Sequence, residues 1–105
     1  MKNLADMMKK AQELQSKMET MQTELESVEV EGTSGGGMVR VTMSGKGNVK
    51  RVSIASDLMK ADEREILEDL IVAASADAKS KSERVVTEKM KSLTGGLPMP
   101  PGFSL

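Results

Sequence analysis

The stretch with the strongest chemical appearance is EGTSGGGMVRVTMSGKGN, residues 31–48, in which six glycines stand beside Arg40 and Lys46. Glycine-rich loops that carry a lysine can cradle phosphates, because bare backbone N–H groups approach the anion and the ammonium neutralises it. The spacing decides against that role. A P-loop requires G-x-x-x-x-G-K-[ST]. Aligned on Gly45-Lys46, Arg40 takes the first glycine position and Gly47 the hydroxyl position. A dinucleotide fingerprint requires G-x-G-x-x-G. Started at Gly35 it ends on Arg40, and started at Gly45 it ends on Lys50. Neither stretch leads from a strand into a helix. The glycines read as turn residues, placed where positive φ is cheap only without a Cβ. Lys46, Lys50 and Arg51 are left as a weaker alternative, able to touch an anion from the sheet side.

Other reactive groups are sparse. Glu24, Glu26, Glu29 and Glu31 cluster, but no histidine flanks them and no D-x-D-x-D-G calcium pattern is present. They read as a solvated acidic face. Ser34, Ser44 and Ser53 have no histidine to activate them. The chain contains no His, Cys, Trp or Tyr, and Phe103 is its single aromatic residue. These absences remove the commonest general base, thiolate chemistry, disulfides and the usual base-stacking side chains. The sequence gives no support for an enzyme, a cofactor, a metal site or a small-molecule substrate. No apolar run approaches the roughly 20 residues of a membrane span, and the N-terminus MKNLADMMKKAQ has no apolar core of a signal peptide. The expectation is a cytoplasmic protein with no membrane partner.

Charge is the more informative property. The net charge is −1, yet the segments alternate: +2 over 1–17, −5 over 18–34, +4 over 35–60, −5 over 61–78 and +3 over 79–105. Such segregation can create local fields that the total conceals.

The elements that would carry these charges follow from periodicity. Leu4, Met7, Ala11, Leu14, Met18, Met21, Leu25 and Val28 recur at alternating spacings of three and four. This is a heptad seam and predicts a helix from Lys2 to about Ser27, about 37 Å long at about 1.5 Å per residue. The seam needs a partner helix, from this chain or from another copy. SVEVEGT then alternates as a strand, with Val28 and Val30 on one face. MVRVTMS places Val39, Val41 and Met43 on one face, and VKRVSIAS places Val52 and Ile54 together. Three short strands with Gly-rich links predict an antiparallel meander. A second helix follows within SDLMKADEREILEDLIVAASADAKSKSERVVTEKMKSL. Asp62 is its expected N-cap, with Glu65 completing a capping-box pattern. Ile66, Leu67, Leu70, Ile71 and Ala74 form its apolar face, the stripe thins beyond Ala78, and Gly95-Gly96 ends it. The fold class is therefore α+β in the order α-β-β-β-α. One domain is expected over 1–94, with a flexible Gly/Pro-rich tail over 95–105. The ten methionines read first as core filler, and alternatively as an adaptable contact surface.

In this order the first helix enters the sheet at its C-terminus and the second leaves at its N-terminus. If they run antiparallel, the basic ends meet far from the sheet and the acidic segments meet near it. Lys2, Lys9, Lys10 and Lys17 would then join Lys79, Lys81, Arg84, Lys89 and Lys91 in a basic tip able to reach a phosphate backbone. The competing reading is ordinary solvated helix faces with i,i+4 pairs such as Glu13 with Lys17.

Four blocks, MMKKAQELQSKMETMQTELESVEVEG, SGGGMVRVTMSGKGNVKRVSI, EDLIVAASADAK and GGLPMPPGF, span nearly the whole chain. In this order they resemble the YbaB/EbfC family of bacterial nucleoid-associated proteins, with the middle block the most specific. The resemblance implies a homodimer with long helices projecting as tweezer-like arms, binding to double-stranded DNA, and roles in nucleoid organisation and gene expression. It implies no catalysis and no cofactor. The alternative function is a holdase-like protein-interaction module gripping clients with Met7, Met8 and Met90. A homodimer is expected under both readings, because the seam and the small core call for further burial.

Overall fold

The computed structural model describes residues 3–94, so Lys2 and the tail 95–105 lie outside the described residues. The chain forms α1 (Leu4–Ser27), β1 (Glu29–Ser34), β2 (Val39–Ser44), β3 (Val49–Ile54) and α2 (Arg64–Thr94). The described residues extend over 71 × 23 × 17 Å. Asn3 starts α1: its side-chain oxygen accepts from the Asp6 N–H at 2.9 Å, satisfying one of the orphan donors of the first turn.

The sheet is the expected antiparallel meander, in the order β1-β2-β3. Glu29 pairs with Ser44 and Ser34 with Val39 in the first hairpin, while Val39 pairs with Ile54 in the second. The link from β1 to β2 is a tight turn through Gly35, Gly36 and Gly37, whose φ angles are 60°, 67° and 95°. Gly47 at 91° does the same between β2 and β3. The glycines of the opening stretch thus serve the turns, where a Cβ would be strained.

The core forms where α2 crosses β1 and β2. Val39, Val41, Met43, Leu58, Ala74 and Ala78 are buried together, with Val30, Leu67, Leu70 and Ile71 packed around them. This bears out the inward face read for β2. Gly32 of β1 is essential to the fit, since a Cβ there would overlap the Ala74 carbonyl oxygen and the Ala78 nitrogen. Polar side chains fasten the same joint. Ser34 Oγ donates to the Leu70 carbonyl at 2.6 Å, and the buried Ser82 Oγ lies 2.9 Å from the Gly45 carbonyl and 3.1 Å from that of Ser44.

Beyond the sheet, α2 runs on beside the C-terminal half of α1. Met21, Leu25 and Met90 are buried there, with Met18, Val85, Val86 and Leu93 half-buried around them. The thin stripe after Ala78 thus has its own partner. Leu25 also anchors α1 to the sheet, because the Gly45 N–H donates to its carbonyl at 2.9 Å.

Three expectations change. Asp62 is not an N-cap: it lies inside a 3-10 turn, Ala61–Glu63, and α2 begins at Arg64. Ser56–Leu58 is a separate 3-10 turn, which tucks Leu58 into the core. β3 buries only its end, where Ile54 packs on the core. It lies at the sheet edge away from α2, and Val49 and Val52 remain 55% and 47% exposed.

Candidate nucleic-acid interface

The basic residues divide into three groups. On the sheet, charge is matched by the acidic segment before it. Arg40 reaches Glu31 at 3.5 Å, Lys46 reaches Glu26 at 3.3 Å and Arg51 reaches Glu29 at 2.7 Å. The meander brings Glu31 and Glu29 of β1 within reach of Arg40 of β2 and Arg51 of β3, and Glu26 of α1 within reach of Lys46 in the second turn. The hydrogen bond from Arg51, with its charge, holds the Glu29 carboxyl below its usual range and raises the guanidinium in turn. Three of the sheet's cations are thereby committed to carboxylates, and the basic sheet segment and the acidic segment before it largely cancel.

The second group lies on α2. Lys81 does not reach a distal tip. Its ammonium donates to the Glu31 carbonyl of β1 at 2.7 Å and pairs with Asp77 at 3.1 Å. Asp77 in turn accepts from the Thr33 N–H at 2.9 Å. That backbone bond, followed by Lys81, keeps the Asp77 carboxyl below the ordinary aspartate range. Asp77 and Lys81 therefore clasp α2 to the open edge of β1. Lys79, between them in sequence, is likewise on the part of α2 that crosses the sheet. The expectation that Lys79 and Lys81 meet Lys9 and Lys10 is corrected: α2 spends its first half on the sheet, so only its last turns run beside α1. Lys89 is there, but it pairs with Glu24 of α1 at 2.9 Å.

The third group sits on α1. Lys9, Lys10 and Lys17 are exposed and make no ion pair among the described residues. The i,i+4 pair of Glu13 with Lys17 is not formed. Arg84, exposed on α2, also lacks an ion pair among the described residues, and Lys91 is exposed in the last turn of α2. Where the helices part, a cleft of about 380 Å³ opens between them, lined by Ser16, Lys17, Thr20, Glu24, Lys89 and Ser92 among others. Cations and hydroxyls at this site could contact an anionic backbone, with Glu24 already neutralised by Lys89.

Sequence reasoning missed the clasp. It had a local signal, since Asp77 and Lys81 stand four apart on a helix, but the Thr33 and Glu31 partners are strand residues more than forty positions away. Among the described residues no cluster of His, Cys, Asp or Glu is placed to hold a metal ion, and no helix is long and apolar enough to cross a membrane.

The arrangement has close counterparts among known proteins. A nucleoid-associated protein of Brucella ovis is 55% identical over 105 residues, covering 100% of this chain and 98% of its own. One from Methylocella silvestris is 52% identical with the same coverage. The crystal structure of the uncharacterized protein HP0035 of Helicobacter pylori superposes with a TM-score of 0.80 at 17% identity, covering 90% of this chain and 100% of the other, a likeness of fold. The family model of the YbaB/EbfC DNA-binding family matches residues 1–97. With a helix, a three-stranded meander, a long second helix and nearly the full length matched, the chain belongs to the YbaB/EbfC DNA-binding family.

Proposed function

We propose that this protein is a homodimeric, non-enzymatic protein of the bacterial nucleoid that grips double-stranded DNA through its helical arms, organising the nucleoid and influencing gene expression. The observation that carries the reading is the unequal fate of the cations. Arg40, Lys46 and Arg51 on the sheet are held by carboxylates, whereas Lys9, Lys10 and Lys17 are displayed unpaired along α1. Unpaired lysines on a narrow helix release condensed counterions when they meet phosphates, and they read no base sequence. The names of the Brucella and Methylocella relatives support the nucleoid setting.

Among the residues singled out from the sequence, the contact set is Lys9, Lys10 and Lys17, extended by Lys79, Arg84 and Lys91. Lys2 belongs with them by position in the chain. Lys81 and Lys89 serve the fold first, through Asp77 and Glu24. The dimer draws support from Val49 and Val52, apolar side chains left exposed on the edge strand β3.

The holdase-like alternative loses its surface. Met7 and Met8 are exposed, but Met90 is buried between the helices, so the three do not form one grip.

The test is a titration of duplex DNA at two salt concentrations with the wild type and with K9E/K10E/K17E. Wild-type affinity should fall steeply with salt, and the variant should lose retardation while keeping its circular dichroism. Neutral K9Q/K10Q/K17Q should lower the salt slope by about 2–3. Unchanged retardation by the charge-reversed arm would overturn the reading.

A further inference from the structure

The outer half of α1 has an apolar seam that α2 and the sheet leave uncovered among the described residues. Leu4, Met7 and Leu14 are 71%, 61% and 49% exposed, because α2 runs beside only the inner half of the helix. Lys10 and Lys17, seven residues apart, line one edge of this seam. The outward side of the first turns of α2 is its chemical opposite. Glu65 and Asp69 are exposed there with no ion pair among the described residues, and Ile66 and Val72 are 52% and 69% exposed beside them. Ala73 and Ala76 continue this side with small side chains that permit close helix approach.

We propose that the seam of α1 docks on the outward side of α2 of another copy of this chain, Lys10 and Lys17 meeting Glu65 and Asp69. Charge complementarity selects this occupant. Two α1 seams packed antiparallel would bring their lysine edges together, and packed parallel they would set those lysines against Met8 and Gln15, which offer no carboxylate. The α2 surface supplies acid and apolar area in one place. The contact joins two different patches, so it is heterologous and propagates from copy to copy rather than closing on a two-fold axis. It leaves β3 untouched and is compatible with a dimer formed there. The docked arm engages Lys10 and Lys17, which are also proposed to meet DNA, so docking and DNA binding compete for them; the test contains no DNA and therefore reads docking alone.

Sedimentation velocity on the full chain at low and high salt provides the test, with K10E/K17E and E65K/D69K as variants checked for fold by circular dichroism. The wild type should form a concentration-dependent series of species above its smallest unit at low salt, dissolving as screening rises. Each variant alone should weaken that association by about ten-fold or more. An equimolar mixture of the two should restore it, since the native arm of one meets the native α2 of the other and the two reversed patches also match. A wild type with no larger species at millimolar concentration would overturn the proposal. So would an E65K/D69K variant that associates like the wild type, which would favour arm-to-arm pairing, or a mixture that fails to recover.

Discussion

The joint between α2 and the sheet and the outer half of α1 make opposite use of their side chains. At the joint, Ala74 and Ala78 are fully buried and Gly32 lies directly beneath them, so backbone meets backbone. Small residues there sacrifice apolar area per side chain but permit a close approach, which Ser34, Ser82 and the Asp77–Lys81 clasp then fasten with hydrogen bonds. On the outer α1, large residues such as Leu4 and Leu14 sit at heptad positions with nothing from the described chain against them. An apolar stripe therefore does not by itself report a core. The joint fixes the direction of the arm, and the outer arm keeps its apolar side exposed among the described residues.

The comparison can be broken most severely at Gly32. G32A would drive a methyl group into the α2 backbone, which has no flexible end to move aside. Equilibrium urea unfolding should show a loss of about 3 kcal/mol or more, at the upper end of overpacking effects. A loss below about 1 kcal/mol would mean that helix and sheet are less closely seated than they appear.

The second contrast uses the same residue type at two points on one helix. Leu25 is 1% exposed at the base of α1, whereas Leu14 is 49% exposed. L25A should cost about 2–4 kcal/mol through lost transfer energy and the cavity left behind. L14A at micromolar concentration should stay within about 0.5 kcal/mol, as exposed substitutions do. Equal effects would show that the outer seam is already covered at that concentration.

The smallest effect concerns pH. The folded state holds the Asp77 carboxyl below its usual value. Its stabilising contribution is therefore complete above the unfolded value of about 3.9 and is lost as pH falls through the lower folded value. D77N should lower the thermal midpoint at neutral pH and flatten its decline below about pH 4. A decline of unchanged steepness would assign the acid sensitivity to other carboxylates, Glu29 first among them.

Much of the fold was legible in the residues. The three-four spacing from Leu4 to Val28 gave α1, and the alternation of Val39, Val41 and Met43 gave the buried face of β2. The failed phosphate-loop spacings correctly moved Gly35–Gly37 and Gly47 into turns. The start of α2 was misread because Asp62 and Glu65 satisfy a capping pattern that the chain forgoes. Two 3-10 turns precede the helix and bring Leu58 to the core. The openness of β3 was hidden, since Val52 and Ile54 alternate as inward residues do, yet Ile54 packs on the core while Val52 stays exposed.

Sequence alone determined what depends on near neighbours along the chain: element type, strand faces, turn glycines and the segregation of charge into blocks. Tertiary structure decided which charges remain available. Arg51 meets the Glu29 carboxylate and Lys89 that of Glu24 across separations of 22 and 65 residues, and Lys81 donates to the Glu31 backbone carbonyl 50 residues away. Coulomb attraction depends on distance through space, and only the crossing of α2 over β1 and its return beside α1 sets those distances. The same path leaves Lys9, Lys10 and Lys17 without an ion pair among the described residues, on the part of α1 that α2 and the sheet do not reach.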